Sequence, residues 1–323
     1  MTRYDVFNGD ADGICALHQW RLAHPAQSEL VTGVKRDNAL LARVPAQAGD
    51  EVIAFDIALP GNLDALRTLL ARGVRVRYVD HHEPGSRPTH AGLEMLIDTA
   101  PDVCTSVLVN RLLDGAHRRW AIVGAFGDNL AATARRLADA AGITDKARMT
   151  RWRELGECLN YNAYGIDESD LVYRPAELFR AVQPHADPDA FIESGPHFER
   201  LRDARRADLD RALRVAPMLD STHACLRALP DERWSRRVIG TLANVLVERD
   251  PKRAHAVAVP VDAQRMQVSL RVPVNAATSA DALCRRFGGG GRRIAAGIDA
   301  LPPQQLAAFA EALDRAMTPG AAA

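Results

Sequence analysis

The sequence predicts an α/β protein with an N-terminal doubly wound parallel sheet domain, a helical connector and a smaller C-terminal α+β domain. Over residues 1–140, short apolar strand-like segments alternate with amphipathic segments of helical period. Strands that alternate with helices at such short spacing are typical of a parallel sheet covered on both faces. Near the C-terminus two strand-like segments follow each other directly, which indicates a second domain of mixed type.

The predicted elements of the N-terminal domain follow one another closely. Strands are predicted over residues 2–7, 29–36, 51–56 and 74–80. Helices are predicted from Gly13, over residues 62–73 and from Thr105, where Thr105 and Ser106 are plausible caps.

The remainder of the chain divides by pattern into two parts. Residues 141–220 are helical and charged and carry no motif, so we interpret them as a connector. Residues 221–323 form the predicted second domain. Its elements are strands over 255–262 and 266–273, a helix over 279–287, a glycine-rich segment over 288–297 and a final helix over 303–317.

Composition excludes several classes of protein. The formal net charge is zero, with 41 basic and 41 acidic residues, which argues against a protein that grips long duplex nucleic acid. The five cysteines are scattered without a C-x-x-C pair, as expected in a reducing compartment. Neither a signal peptide nor a membrane-spanning apolar run is recognisable. We therefore expect a cytoplasmic protein that does not enter a membrane.

Acidic residues follow three of the predicted strands. The segment N-G-D-A-D-G after the first strand contains Asp10 and Asp12, a later strand ends at Asp56, and the next ends in Asp80-His81-His82. Ligands of open α/β sheets bind at the carboxyl ends of the strands. These side chains should therefore share one edge, which Asp128 can reach from the apolar segment that precedes it.

Carboxylates crowded at one edge repel one another and need cations. Each acid alone is more typical of a turn or cap, because N-G and D-G favour turns, but their combination indicates a metal site. The four carboxylates of Asp10, Asp12, Asp56 and Asp128 balance two divalent ions in charge. Oxygen ligands with an imidazole suit manganese or magnesium better than structural zinc. Two such ions can activate water and bind phosphate oxygens, with Asp56 as the natural bridge.

These motifs resemble those of the DHH phosphoesterase superfamily. The matching segments are N-G-D-A-D-G at 8–13, the strand-end Asp56, D-H-H at 80–82 and G-D-N at 127–129. In the C-terminal part, V-S-L-R-V-P and G-G-G-G-R-R-I-A-A-G look like the DHH-associated domain of the oligoribonuclease, cyclic-dinucleotide phosphodiesterase and single-strand exonuclease branches. The resemblance covers both ends of the chain and leaves the connector without a counterpart.

The resemblance implies that the acid cluster holds two divalent ions, most simply Mn²⁺, with Mg²⁺ as the second choice. Asp10 and Asp56 would hold the first ion, and Asp56 would be shared with the second. Many relatives carry histidine or aspartate at the position of Asn8, so the neutral amide would hold the first ion loosely. The implied metal ligands are Asn8, Asp10, Asp12, Asp56, His81 and Asp128.

The resemblance also implies catalytic roles. Besides Asp56, His82 would face the substrate phosphate, and Asp80 would orient a histidine. Lys35 and Arg36 follow a strand on the same edge, and we interpret them either as phosphate-neutralising groups or as ordinary solvated side chains.

The second domain would bind the far end of the substrate. Glycines let backbone N–H groups approach a phosphate closely, and arginine grips phosphate with a fork of donors. Arg292 stands where the usual motif has histidine, which keeps a positive charge but leaves substrate specificity open. The implied substrate-binding residues are Lys35, Arg36, Arg271, Gly288, Gly289, Gly290, Gly291, Arg292 and Arg293.

The leading functional hypothesis is a two-metal phosphoesterase that hydrolyses a nucleotide-like substrate in the cleft between the domains. A short single-stranded oligonucleotide, a dinucleotide or a phosphorylated mononucleotide is favoured over long strands, because only 5% of residues are aromatic and no stacking stripe is visible. Two alternatives stay open: a small-molecule phosphatase, and a degenerate nucleotide- or phosphate-binding protein, which the departures at Asn8 and Arg292 motivate. A homodimer is compatible with the sequence.

Overall fold

A five-stranded, fully parallel sheet organises the first of two units in a computed structural model that describes residues 1–37 and 39–318. The units are Met1–Asp203 and Ala204–Ala323. The strand order is β2-β1-β3-β4-β5, and every neighbouring pair is parallel. The predicted α/β class is therefore confirmed. The strands are β1 (Arg3–Asn8), β2 (Glu29–Gly33), β3 (Glu51–Phe55), β4 (Arg75–Asp80) and β5 (Leu93–Ile97).

Helices cover both faces of this sheet, as in a doubly wound fold. The helices that begin in this unit are α1 (Ala11–Ala23), α2 (Leu59–Ala71), α3 (Thr105–Leu112), α4 (Arg118–Gly127), α5 (Ala131–Asp139), α6 (Lys146–Asn162), α7 (Pro175–Val182), α8 (Pro188–Glu193) and α9 (Pro196–Arg214), with a 3₁₀ helix at Glu168–Asp170. On one face, Phe7, Phe55 and Val79 belong to a core shared with α1, α3, α4 and α6. On the other face, Val6 and Tyr78 pack with α2 and with a second 3₁₀ helix, Leu40–Arg43.

Strand β5 was missed in the sequence analysis. Its residues alternate between half-buried and exposed positions at the edge of the sheet, and only the last, Ile97, is buried, so its apolar signal is weaker than that of the inner strands. The division of the chain also differs from the expected connector over residues 141–220. The helices from Lys146 up to Asp203 belong to the first unit, and α9 contains the division.

The glycines of N-G-D-A-D-G are required by close packing. A Cβ atom at Gly13 would lie 2.2 Å from the carbonyl oxygen of Asn8, and one at Gly9 would lie 2.2 Å from the carbonyl oxygen of Gly33. Helix α1 begins at Ala11, two residues before the predicted start at Gly13. The absence of side chains at both glycines lets α1 begin directly against the ends of β1 and β2.

Helix α6 packs tightly enough on α4 to bring its C-terminal end to the edge of the sheet. A Cβ atom at Gly156 would lie 2.3 Å from the carbonyl oxygen of Val123, so the two helix backbones are in close contact. Beyond the end of α6, the carbonyl oxygen of Ala163 accepts a hydrogen bond from the Lys35 N–H at 2.9 Å. The region predicted as a featureless connector thus reaches the strand ends.

The second unit contains a six-stranded mixed sheet of order β10-β11-β9-β8-β7-β6. Its elements are β6 (Leu219–Asp220), β7 (Ala224–Ala228), α10 (Arg233–Arg249), β8 (Ala254–Pro260), β9 (Met266–Arg271), α11 (Ala280–Arg285), β10 (Gly290–Gly291), β11 (Ala295–Leu301), a 3₁₀ helix at Pro303–Gln305 and α12 (Leu306–Met317). The two strands predicted to pair, β8 and β9, are antiparallel neighbours. Helices α11 and α12 pack on a core that includes Val268, Leu283 and Phe309.

Across the described residues, no helix combines the length and the apolar character needed to cross a membrane. All five cysteines are buried as free thiols.

Candidate metal centre

The carboxyl ends of three neighbouring strands carry the acids of the predicted site. Asn8 and Asp80 are the last residues of β1 and β4, and Asp56 directly follows β3, which lies between them. Asp10 is the N-cap of α1 and lies beside the same edge. Asp128 reaches the edge as the C-cap of α4. The parallel sheet thus brings residues far apart in sequence into one acidic cluster.

Three carboxylates converge on one atom, the Nε2 of His81. This atom lies 3.5 Å from Asp56 Oδ1, 3.9 Å from Asp12 Oδ2 and 4.0 Å from Asp128 Oδ2. The side chains of Asp12, Asp56 and His81 are each at most 4% exposed. We call the set the His81 group, and its members are Asp12, Asp56, His81 and Asp128.

The imidazole of His81 is fixed in the tautomer that a metal requires. Its Nδ1 lies 3.0 Å from the backbone carbonyl oxygen of Val103. Because a carbonyl oxygen can only accept, Nδ1 carries the proton and donates it there. In the neutral imidazole, Nε2 then carries the lone pair and faces the three carboxylates, which is the arrangement of a metal-binding histidine.

Asp12 is held by the N-terminus of α3. Its carboxylate accepts hydrogen bonds from the backbone N–H groups of Thr105 at 2.6 Å and Ser106 at 2.8 Å. The expectation that Thr105 and Ser106 cap this helix was wrong, because the N-cap is Cys104 and its side chain makes no capping bond. A carboxylate from another helix caps α3 instead, where free N–H groups and the helix dipole favour a negative charge.

Burial makes the remaining acids of the His81 group costly to ionise. Burial raises the pKa of Asp56 well above its usual range, and the charges of Asp12, Asp10 and Asp80 raise it further. Burial likewise raises the pKa of Asp128. Within the described part of the chain, the buried Oδ2 of Asp128 has no hydrogen-bond partner. A divalent cation would satisfy that oxygen and stabilise the ionised carboxylates, so the residues fit a metal ion.

The backbone is strained at two positions of the site. Asp56 has φ of 60° and Asn129, which follows Asp128, has φ of 63°. Only three non-glycine residues in the described chain have positive φ, and two of them lie here. Such conformations are unfavourable for residues with a side chain and persist where the surrounding structure enforces them, often at functional sites.

His82 lies at the open side of the cluster. Its side chain is 43% exposed, and its Nδ1 lies 2.8 Å from Oδ1 of the fully buried Asp80. Burial lowers the pKa of His82, but the hydrogen bond and charge of Asp80 outweigh it and raise the pKa above its usual value. Asp80 therefore orients His82 and favours its protonated form.

Asp10 is paired with a lysine. Lys35 Nζ donates a hydrogen bond to Asp10 Oδ2. Burial alone would raise the pKa of Asp10, but the Lys35 ammonium lowers it to about 2. Strand β2 ends at Gly33, before the predicted position, so Lys35 and the half-buried Arg36 lie in the following turn.

The predicted substrate-binding residues of the second unit lie at one end of its sheet. Arg271 is the last residue of β9 and pairs with Ala295 of β11. Gly291 of β10 pairs with Ala296 of β11. Arg271 Nε donates to Asn244 Oδ1 at 2.9 Å. Gly288 has φ of 77°, a conformation that favours glycine.

The arginines after the glycine run are exposed. The backbone N–H of Arg292 donates a hydrogen bond to the carbonyl oxygen of Ala295 at 2.8 Å. The side-chain Nη2 of Arg293 donates to the carbonyl oxygen of Ala276 at 3.2 Å. Gly289 approaches β11 so closely that a Cβ atom would lie 2.2 Å from the carbonyl oxygen of Gly297.

Sequence reasoning missed two asparagines that hold predicted site residues. Asn160, at the end of α6, accepts a hydrogen bond from Lys35 Nζ at 3.1 Å, and Asn244 on α10 orients Arg271. Neither residue belongs to a recognisable motif. The sequence signal that could have directed attention to Asn160 is the polar run Asn160-Tyr161-Asn162 at the end of an otherwise amphipathic helix.

Comparison with known proteins identifies a domain in the C-terminal part of the chain. The family model described as the DHHA1 domain matches residues 221–318. A search of curated proteins found no match.

Several solved structures have the same fold. The exonuclease RecJ bound to manganese is 22% identical, with a TM-score of 0.62 over 97% of this chain and 90% of that one. A DHH domain from a member of a family of ribosomal proteins is 11% identical, with a TM-score of 0.65 over 97% of this chain and 86% of that one. The pGpG-specific phosphodiesterase PggH from Vibrio cholerae is 14% identical, with a TM-score of 0.56 over 97% of both chains.

The similarity extends over nearly the whole of this chain and includes both units. It confirms the predicted fold, and the matched family model confirms a DHHA1 domain at residues 221–318. The chain is therefore a protein of the DHH fold with a C-terminal DHHA1 domain.

Proposed function

We propose that this chain is a divalent-metal-dependent phosphoesterase that hydrolyses a phosphate ester in a small nucleotide or a short single-stranded oligonucleotide. The convergence of three carboxylates on the open Nε2 of His81, at 3.5 to 4.0 Å, carries this proposal. A manganese-bound exonuclease and a pGpG-specific phosphodiesterase among the structural neighbours support it. Manganese is the ion we propose, with magnesium as the second choice.

We assign different residues of the chain to different roles around the substrate. The His81 group would hold a divalent ion, which would act as a Lewis acid toward phosphate oxygens and would lower the pKa of a bound water. Asp12 is held rigidly by the N-terminus of α3, and His81 is fixed by Val103. His82, oriented by Asp80 at the open side, donates a hydrogen bond to a phosphate oxygen and stabilises the charge that develops there.

The second unit binds the part of the substrate that does not react. Asn244 Oδ1 and Ser269 Oγ accept hydrogen bonds from Arg271 and orient its guanidinium, whose positive charge would attract a distal phosphate. The exposed backbone of Gly290 and Gly291 lies at the same end of the sheet, where N–H groups can approach a phosphate. We propose that this unit selects the substrate and that the His81 group performs the chemistry.

A binding protein with little hydrolytic activity is the second candidate. One observation favours it: Asp10, which the family motif assigns to a metal, is already paired with Lys35. The completeness of the His81 group favours the enzyme.

Hydrolysis should require an added divalent ion. After chelation and dialysis, activity toward a dinucleotide, 3′-phosphoadenosine 5′-phosphate, pyrophosphate and a model phosphodiester should vanish, and manganese should restore it best. The measurement is a substrate screen with matched circular dichroism spectra, which show that the chelated protein stays folded. Undiminished hydrolysis in the metal-free protein would contradict the proposal, and tight nucleotide binding without turnover at saturating manganese would select the second candidate.

Asp56→Asn should separate catalysis from stability. The rate should fall at least about a hundredfold, because a charge facing the ion is lost. The metal-free variant should nevertheless unfold at a higher temperature than wild type at neutral pH. A raised pKa means that the folded protein binds this proton more tightly than the unfolded chain, so ionised Asp56 lowers stability above the unfolded pKa.

Thermal unfolding with and without manganese tests that expectation. Manganese should raise the melting temperature of wild type more than that of Asp56→Asn, because the ion binds the folded state. Asp64→Asn, at a fully exposed position on α2, is the control and should behave as wild type. A variant with the wild-type rate would show that Asp56 has no part in the reaction.

Arg271→Ala should weaken substrate capture. Truncating a charge-assisted contact to phosphate typically costs about 2 to 5 kcal/mol when the contact is buried, so kcat/KM should fall for a substrate with a distal phosphate or nucleotide. A minimal model ester should be affected much less. Arg265→Ala is the matched control, since Arg265 is exposed near the other end of the same strand and pairs with Asp262. Equal losses on both substrates would assign Arg271 to the fold instead.

A further inference from the structure

Asp10, at the start of α1, is already paired with a cation, the ammonium group of Lys35. Asp10 Oδ2 accepts from the Lys35 ammonium, and Asp10 Oδ1 accepts from the backbone N–H groups of Asp12 at 2.9 Å and Gly13 at 3.1 Å. The residue is 2% exposed. A divalent ion that bound Asp10 would have to displace the ammonium group or compete with it.

Lys35 is held there by contacts that do not involve the acids. Its N–H donates to the carbonyl oxygen of Ala163 at 2.9 Å, and its own carbonyl oxygen accepts from Asn8 Nδ2 at 3.2 Å. Its ammonium also donates to Asn160 Oδ1 at 3.1 Å and lies 5.8 Å from the ring centroid of Tyr164. The end of α6 and the end of β1 therefore fix this lysine through the fold itself.

The side chain of Asn8 supports the same arrangement. Its Oδ1 accepts from the backbone N–H of Asp10 at 3.2 Å, while its Nδ2 donates to Lys35. The amide is neutral, and its NH₂ group only donates. At a position where a metal ligand was expected, the residue connects the lysine segment to the start of α1.

The His81 group differs from this arrangement. Its imidazole donates from Nδ1 to Val103, so that Nε2, which faces the carboxylates, carries the lone pair in the neutral form, and Asp128 Oδ2 is buried without a hydrogen-bond partner in the described part of the chain. The His81 group therefore needs a cation from outside the chain. The Asp10 carboxylate already has one within the chain, the Lys35 ammonium.

We propose that the Lys35 ammonium replaces one of the two divalent ions implied by the motif, so that the chain binds a single divalent ion in the His81 group. This inference deepens the proposed phosphoesterase function and rests on it. An ammonium has three N–H donors, of which Asp10 and Asn160 account for two. The third donates to a phosphate oxygen of the substrate, so Lys35 supplies charge and a hydrogen bond where a second ion would otherwise bind.

The test is the number of Mn²⁺ ions bound per chain, measured on the full chain without substrate by equilibrium dialysis and elemental analysis. Wild type should bind one ion. Lys35→Met combined with Asn8→Asp should bind two, because Asp10 loses its ammonium partner and gains an ionised neighbour. Lys146→Met, at an exposed position on the same helix as Asn160, is the control and should bind one ion.

Two ions in wild type, or one ion in the folded double variant, would overturn the inference. If the double variant does not fold, Lys35→Arg keeps the charge and should bind one ion like wild type, and two ions in either protein would overturn the inference. A wild-type chain that binds no manganese would overturn the phosphoesterase proposal itself, so the two failures are distinguishable.

Discussion

The burial of several carboxylates at one edge of a parallel sheet is the constraint on which the N-terminal unit depends. Asp10, Asp12, Asp56 and Asp80 are each at most 2% exposed. An ionised carboxylate that is buried without a partner costs several kcal/mol, and neighbouring carboxylates increase that cost. The fold must therefore supply positive partners at the same edge, and the elements around the sheet are arranged accordingly.

Those partners differ from one acid to the next. The pairs are Asp10 with Lys35, Asp12 with the N-terminus of α3, and Asp80 with His82. Asp56 and Asp128 remain beside the open nitrogen of His81, and burial raises the pKa of both. Asp56 Oδ1 accepts a hydrogen bond from the neutral Thr105 hydroxyl at 3.1 Å, so the missing positive charge is concentrated where an external cation would bind, and this connects the stability of the unit to its proposed chemistry.

The sequence predicts the acidic edge of the sheet better than its surroundings. Asp56 and Asp80 could be placed because each follows or ends an apolar strand, and parallel strands bring their carboxyl ends together. Asn160 could not be placed, because its contact with Lys35 joins residues 125 positions apart and its helix carries no motif. The helix predicted from Gly13 begins two residues earlier, at Ala11, and the requirement for glycine at position 13 arises from the contact of α1 with β1, which depends on packing in three dimensions.

The central claim is that the His81 group binds a divalent ion. Anomalous diffraction at the manganese absorption edge, from crystals grown with Mn²⁺, tests this claim most directly. The account predicts a strong peak within about 2.5 Å of His81 Nε2 and of carboxylate oxygens from Asp12, Asp56 and Asp128, a distance typical of oxygen-bound divalent ions. Crystals at saturating manganese with no peak in the His81 group, or with the ion bound elsewhere, would contradict it.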